Sequence, residues 1–239
     1  MAITIDAWFD YRSPLSMLTG RLLCEAVAAA DDVELRWHPH EGGEGQVWAG
    51  LPSSKVWEHS VRPLAARLGV PVAQARPADL PHTRLAWRGY QFACEQGRAS
   101  LYNEQIFAAR FEEGLDLGDP AVLVRVAWRS GLDPEEFRSA LGTERYLHQH
   151  LAALAEQPVG APIRLTPTVV VGGRRIEGVP SGEQLERLIE RARRLAPPVP
   201  LPAEPAPVAP VAPTVPAAPL GQAAPLARAV PLVSVAGRR

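Results

Sequence analysis

Two serine residues near the N-terminus have the spacing of a reactive or anion-binding site. Ser13 and Ser16 enclose Pro14 and Leu15 in the stretch FDYRSPLSMLTG. A serine followed by proline is a common helix start, in which the hydroxyl caps free N–H groups and proline takes the first helical position. Because such a start also favours a negative charge, Ser13 is either a structural cap alone or a cap that contacts an anionic ligand.

Three further residues are candidates for the same site. Arg12 directly precedes Ser13 and could offer charge to an anionic substrate, although a solvated loop arginine is the alternative. His38 and His40, in WHPHEGG, are candidate general bases, since the strand before them should end on the same side of the sheet as the first strand. Two histidines around a proline, without a third ligand, give no metal site, and we expect no metal.

The two cysteines and the other pair of histidines are weaker candidates for a functional site. Cys24 and Cys94 lie 70 positions apart, which fits neither a disulfide framework nor a CxxC zinc site. We expect both to be small buried hydrophobic residues. His148 and His150 lie two apart on a predicted helix, point to different faces and are expected at the surface.

The first elements to position these residues form a βαβ unit. Alternating apolar residues predict strands at 3–9 and 33–37, and a helix is predicted from Pro14 to about Ala30. A crossover of this length implies that the two strands are parallel.

A helical block follows. Asp119 and Asp133, each followed by proline, are strong helix start signals. Four tryptophans are expected to pack this block or to line a cleft beside it: Trp48, Trp57, Trp87 and Trp128. The predicted helices are at 54–69, 83–97, 100–112, 120–130, 134–141 and 143–155.

Strands return near residue 168. A hairpin is predicted with strands at 168–171 and 174–177, and a last helix is predicted to begin at Ser181, with Gln184 completing a capping box. Residues 196–239 hold 12 of the 25 prolines and no aromatic residue, which predicts a disordered Pro/Ala-rich tail.

This order of elements predicts an α/β protein with a thioredoxin fold (βαβ…ββα) and an inserted all-helical domain. The thioredoxin fold would occupy residues 1–45 and 161–195, the helical domain 46–160 and the tail 196–239.

The overall charge argues against two classes of partner. A formal net charge of -1 gives no basic field for nucleic acid or anionic lipid, and no apolar run approaches the length of a membrane span. The N-terminus MAITIDAWFD lacks a basic region and a continuous apolar core, so it does not read as a secretory signal. We therefore expect a cytoplasmic protein that acts on a small molecule. A homodimer is compatible with these features.

The chain resembles the DsbA-like branch of thioredoxin-fold proteins, which open with a strand, an Asp-aromatic pair and then Cys-Pro-x-Cys. Here the corresponding residues are Asp10, Tyr11, Arg12 and then Ser-Pro-Leu-Ser at 13–16. Within this branch the chain resembles FrnE-like proteins, 2-hydroxychromene-2-carboxylate isomerases and kappa-class glutathione transferases, and the last two carry a similar Ser-Pro-x-Ser opening. Further agreement lies in VELRWHP, PHTRLAWRGYQFACEQG and IFAARFEEGLDLGDPAVL.

The resemblance implies roles for individual residues. Ser13 would meet the sulfur of glutathione or another low-molecular-weight thiol, with Ser16 and Arg12 beside it. Thr166 and Pro167 would form a cis peptide bond, whose preceding backbone would pair with the bound thiol compound.

One departure concerns the γ-glutamyl end of glutathione. Kappa-class relatives present a Ser-Asp pair to that end, whereas the matching positions here are Val179 and Pro180. Ser181 and Glu183 are close enough in sequence to substitute, although capping explains Ser181 equally well.

Three functions are compatible with these features. The first is a thiol-dependent isomerase or transferase that acts on a small aromatic or conjugated molecule. The second is a non-catalytic binding protein on the same scaffold, and the third, weakest, is a thiol-disulfide oxidoreductase that uses Cys24 and Cys94.

Overall fold

A four-stranded mixed sheet forms one half of the protein. The computed structural model describes residues 2–41, 53–73, 82–156 and 162–195. The predicted tail at 196–239 and Trp48 lie outside these residues. The strands are β1 (Ile3–Phe9), β2 (Val33–Pro39), β3 (Thr168–Val171) and β4 (Arg174–Glu177), arranged in the order β2-β1-β3-β4.

The sheet joins the two ends of the chain. β1 pairs with β2 in parallel, with Phe9 opposite Pro39, as the βαβ prediction requires. β1 also pairs with β3 in antiparallel fashion, with Trp8 opposite Thr168. The thioredoxin fold expected from the order of elements is therefore present, and β1 lies inside the sheet.

Helices account for most of the remaining described residues. Local start signals explain several of them: Asp119 and Asp133 each accept backbone hydrogen bonds at the start of a helix, as predicted. The helices are α1 (Pro14–Ala28), α2 (Ser54–Val56), α3 (Arg62–Leu68), α4 (Arg84–Glu95), α5 (Ala99–Phe107), α6 (Pro120–Arg129), α7 (Pro134–Leu141), α8 (Glu144–Ala155) and α9 (Gly182–Leu195). Single π-helical turns at Trp57–Val61 and Ala108–Glu112 follow α2 and α5.

Two clusters of buried residues form the core. One lies between the sheet and helices α1 and α9, and includes Ile5, Leu23 and Ile189. The other fills the helical block, and Phe9, at the end of β1, belongs to it. The sheet thus contributes a side chain directly to the core of the inserted helices.

Four expectations were wrong in detail. β2 extends to Pro39, so His38 belongs to a strand and not to a loop, because the parallel ladder with β1 continues to that point. Trp128 is 69% exposed and packs no core. Cys24 and Cys94 are exposed free cysteines. His150 is buried rather than at the surface.

Candidate functional site

The ends of three strands bring most of the predicted site residues to one edge of the sheet. Phe9 is opposite Pro39, and its carbonyl accepts a hydrogen bond from the backbone N–H of His40 at 2.9 Å. The antiparallel pair of Trp8 with Thr168 places the preceding Pro167 at this same edge. The Thr166–Pro167 peptide bond is cis, as expected from the resemblance.

Ser13 caps α1. Its φ and ψ of -102° and 110° are extended, and its Oγ accepts a hydrogen bond from the backbone N–H of Ser16 at 3.2 Å. Pro14 occupies the first helical position, and the N–H of Leu15, next in line, has no acceptor inside the helix. Ser13 and Leu15 are both half-buried.

Ser16 and Asp10 fix the turn that leads into α1. Ser16 is buried, and its Oγ accepts a hydrogen bond from the backbone N–H of Asp10 at 3.3 Å. The Asp10 carbonyl accepts from the N–H of Ser13 at 3.0 Å. The buried Ser16 side chain therefore stabilises the turn before α1, whereas Ser13 lies closer to solvent.

Arg12 forms an ion pair with the buried carboxylate of Asp10. The Arg12 Nη2 atom donates to Asp10 Oδ2 at 2.8 Å, and Arg12 Nε donates to Asp10 Oδ1 at 3.1 Å. These hydrogen bonds raise the pKa of Arg12, which stays charged. Asp10 was absent from the predicted site, yet it determines where the guanidinium lies.

Glu41 and His150 form a second polar pair that sequence reasoning missed. His150 is buried and its Nε2 lies 3.3 Å from Glu41 Oε1. The hydrogen bond to His150 lowers the pKa of Glu41, as do the charges of His150, Arg12 and Arg84. Tyr146, four positions before His150, is also buried; this i, i+4 relation to an aromatic residue was the signal available in the sequence.

An aromatic stack connects this pair to the start of α1. The rings of His150 and Trp87 stack with centroids 5.0 Å apart, and those of Trp87 and Tyr11 stack at 4.1 Å. Tyr11 directly precedes Arg12, so the packing of the helical block fixes the backbone at the candidate site.

His38 and His40 differ in their surroundings. His38 Nε2 lies 2.8 Å from Asp6 Oδ1, and its ring stacks on Trp8 with centroids 4.4 Å apart. Asp6 lies towards the middle of β1, so this hydrogen bond directs the His38 ring away from α1. His40 follows β2 directly and is half-buried at the edge where α1 begins.

The two residues after β4 that could replace the Ser-Asp pair make contacts within α9. Ser181 accepts a hydrogen bond from the N–H of Gln184 at 3.1 Å, and its own N–H donates to Gln184 Oε1 at 3.0 Å. This is the predicted capping box. Glu183 pairs with Arg187 one turn along α9. Ser181 and Glu183 are thus both engaged within the helix.

The two cysteines are poor nucleophiles. Although each residue is exposed overall, desolvation of its sulfur by the surrounding protein raises the pKa of Cys24 and of Cys94. The thiols are therefore protonated at neutral pH, and neither forms a disulfide.

Comparison with known proteins identifies the family. The model of the DsbA-like thioredoxin domain matches residues 4–190. The chain belongs to this family. YwbO of Bacillus subtilis (strain 168), described as uncharacterized, is 31% identical over 194 residues, a match that covers 79% of this chain and 96% of YwbO.

Two solved structures show the same fold. The "probable DsbA oxidoreductase SCO1869" from Streptomyces coelicolor has a TM-score of 0.66 at 20% identity, covering 83% of this chain and 93% of the other. A 2-hydroxychromene-2-carboxylate isomerase has a TM-score of 0.60 at 21% identity, covering 80% and 95%. A probable DsbA oxidoreductase and a 2-hydroxychromene-2-carboxylate isomerase are thus both structural neighbours of this DsbA-like domain.

Membrane insertion has no support in the described helices. Within residues 2–41, 53–73, 82–156 and 162–195, every helix is too short or too polar to cross a bilayer.

Proposed function

We propose that this DsbA-like domain is an enzyme that uses a low-molecular-weight thiol to isomerise, or to transfer the thiol onto, a small aromatic or conjugated molecule. The observation that supports it is the half-buried Ser13 hydroxyl at the capped start of α1, where its family has a cysteine. A serine hydroxyl with no base beside it does not become an alkoxide at neutral pH. It can donate a hydrogen bond to a thiolate that a ligand brings.

The residues at this edge suit the sulfur of such a ligand. Ser13 would donate its hydroxyl proton, the N–H of Leu15 would donate a second hydrogen bond, and the dipole of α1 would stabilise the negative charge. The backbone at Thr166 would orient the thiol compound. When bound, the thiol supplies a nucleophilic sulfur for conjugated double bonds.

We assign the binding of an anionic substrate group and the transfer of a proton to neighbouring side chains. Arg12 is held by Asp10, and its guanidinium would hydrogen-bond an anionic substrate group at this edge. His40 follows β2 at the edge where α1 begins, so we assign it the role of base ahead of His38, whose ring pairs with Asp6. A reduced thiol and two free cysteines suit the cytoplasmic location that we expect.

The proposal that a thiol binds has more support than the proposal that this thiol is glutathione. Val179 and Pro180 have no charged group for a γ-glutamyl end, and Ser181 and Glu183 are engaged within α9. We therefore expect a thiol without a γ-glutamyl group to bind at least as well as glutathione.

Calorimetric titration with glutathione, cysteine and N-acetylcysteine tests the proposal. The parent protein should bind at least one of them, and Ser13→Ala should weaken that binding by about tenfold, because a hydrogen bond to a charged sulfur is lost. Ser181→Ala is the matched control, since it removes another helix-capping hydroxyl far along the chain. Equal binding by the parent and Ser13→Ala, or no binding by the parent, would contradict the proposal.

A non-catalytic binding protein is the second candidate. It is favoured by the pairing of Arg12 with Asp10 and of His38 with Asp6, which leaves fewer groups to bind and protonate a substrate. Thiol binding that depends on Ser13, without acceleration of thiol addition to any of a panel of conjugated aromatic carbonyls, would support it. A third, weaker candidate, disulfide exchange through Cys24 and Cys94, predicts that both thiols disappear together on oxidation.

A further inference from the structure

A cavity lies along α1, separate from the edge where Ser13 is found. It has a volume of about 170 Å³ and is enclosed by α1, α5 and the indole of Trp37. Met17 and Phe107 give it apolar walls, and Asn103 contributes a polar group. Neither Ser13, Ser16 nor Pro167 lines it, so it is not part of the site described above.

Asn103 is a buried residue with one side-chain hydrogen bond made and one donor left over. The residue is 1% exposed, and its Oδ1 accepts a hydrogen bond from the Tyr11 hydroxyl at 2.6 Å. Its Nδ2 finds no partner among the residues that the structure describes. Buried amide donors are nearly always paired, since leaving one unpaired sacrifices its hydration without compensation. Because Asn103 also lines the cavity, a small rotation of its amide would bring Nδ2 within reach of an acceptor atom on a ligand there.

The cavity walls are held in place by hydrogen bonds. Trp37 Nε1 donates to Ser100 Oγ at 3.0 Å. Behind the indole, α1 approaches so closely that a Cβ on Gly20 would meet Trp37 Cη2 at 3.2 Å. Together with the Tyr11–Asn103 bond, these contacts keep the cavity from collapsing, so it is formed before any ligand arrives.

Charges at the rim limit what can enter. Arg21 donates to Glu104 at 2.7 Å and to Glu112 at 3.1 Å, and Glu25 also lines the opening. One guanidinium thus faces three carboxylates, so the rim has a net negative charge and disfavours an anion. The hydrogen-bond acceptor that Asn103 requires is therefore better supplied by an uncharged group than by a carboxylate or phosphate.

We propose that this cavity is a second binding site for a small neutral aromatic carbonyl compound, whose oxygen accepts a hydrogen bond from Asn103 Nδ2. An apolar cavity of roughly 150 Å³ holds a benzene molecule, so the volume here suits one ring with a short substituent. The ring would lie among Met17, Trp37 and Phe107. The site does not depend on the function proposed for Ser13.

Cysteine alkylation provides a test with an internal control. Cys24 lines the cavity, whereas Cys94, the other exposed free thiol, does not. Mass spectrometry can follow alkylation of both in the full chain during titration with acetophenone. A matched probe is α-methylstyrene, which has the same shape but a methylene group in place of the carbonyl oxygen. We expect acetophenone to slow alkylation of Cys24 saturably and to leave Cys94 unchanged, with α-methylstyrene binding about tenfold more weakly.

A variant adds a second measurement. Asn103→Leu should weaken the binding of acetophenone by about tenfold and leave the binding of α-methylstyrene nearly unchanged, because only the carbonyl oxygen accepts a hydrogen bond from the Asn103 amide. An unchanged rate at Cys94 and an unchanged circular dichroism spectrum verify that the variant is folded; if it is not, the probe pair on the parent protein decides. No protection of Cys24 up to the solubility of acetophenone, or equal protection by the two probes, overturns the proposal.

Discussion

The hydroxyl of Ser13 does at the start of α1 what that of Ser181 does at the start of α9: each accepts a hydrogen bond from the N–H three residues on. What separates them is their surroundings. Ser13 is half-buried at the edge where three strands end, beside the Asp10–Arg12 ion pair, whereas Ser181 is exposed. The same capping chemistry can therefore be structural at one helix and part of a ligand site at another.

A thiol introduced by Ser13→Cys should be more acidic than an ordinary cysteine. Free N–H groups, the helix dipole and the nearby charge of Arg12 favour a thiolate, so we expect a pKa below about 8.5. The pH dependence of alkylation, followed by peptide mass spectrometry, measures it. Cys24 and Cys94 are controls in the same molecule, since desolvation raises the pKa of each. An introduced thiol that titrates with them would show that this helix start does not stabilise an anion.

Residues with local signals were predicted best. The cap at Ser13 follows from a Ser-Pro pair, and the capping box at Ser181 follows from its spacing to Gln184. The role of Asp10 could not be predicted, because its partner Arg12 has many rotamers and only the fold selects one. His150 was missed since its partner Glu41 lies 109 positions away in sequence.

At the scale of elements, the Glu41–His150 pair connects the end of β2 with α8. The hydrogen bond to His150 lowers the pKa of Glu41. A carboxyl with a lowered folded-state pKa stabilises the fold at pH values above its unfolded pKa of about 4.3, and this contribution is lost as the pH falls through the folded-state pKa.

Glu41→Gln should therefore lower the melting temperature most near neutral pH, and the difference from the parent should shrink in acid. Thermal unfolding followed by circular dichroism between about pH 7 and about pH 3 measures this. Glu34→Gln is a suitable control, because Glu34 is an exposed carboxylate that pairs with Arg36, an exposed residue of the same strand. A difference that stays constant with pH would mean that the Glu41 carboxylate contributes no ionic stabilisation.

Helix packing in the inserted block depends on the absence of a side chain at Gly89. A Cβ there would meet the Tyr102 hydroxyl and would lie 2.6 Å from Phe137 Cζ. Gly89→Ala should destabilise the protein by about 3 kcal/mol, since three helices would have to move apart. Gly142→Ala, where an added Cβ would lie 3.5 Å from the Ser139 carbonyl oxygen, should change the free energy of unfolding by less than about 1 kcal/mol. Urea unfolding compares them; equal effects would contradict this account of the packing.

Elements whose ends are encoded locally matched their predictions closely. Pro134–Leu141 and both hairpin strands have the predicted bounds, because an Asp-Pro cap and a two-glycine turn act over a few residues. The end of β2 was missed, since Pro39 joins it only through the ladder with β1. The cavity beside Trp37 could not be predicted at all, because it depends on the distance between α1 and α5.

At the scale of the whole molecule, Phe9 joins the sheet to the helical block. It is 1% exposed, and its ring contacts five aromatic rings from neighbouring elements. Those rings belong to Tyr11, Trp37, Trp87, Tyr90 and Phe107. The described residues between 2 and 195 belong to one compact unit, which fits this shared packing.

Phe9→Ala should lower the free energy of unfolding by about 4 kcal/mol while leaving a single cooperative transition, because both parts lose packing together. Trp128→Ala is the control: with a side chain that is 69% exposed, it should cost less than about 0.5 kcal/mol. Denaturant unfolding followed by fluorescence and by circular dichroism gives both values. Two separate transitions, of which Phe9→Ala shifts only one, would show that the sheet and the helices fold independently.

The place of β1 inside the sheet has a consequence for synthesis of the chain. Its partner β2 leaves the ribosome soon after it, but β3 begins only at Thr168. Until then the second edge of β1 carries unpaired backbone groups and can pair with strands of other chains. We therefore expect nascent or truncated chains that lack the hairpin to aggregate, so residues 168–195, just before the proline-rich segment, protect a strand made at the very beginning.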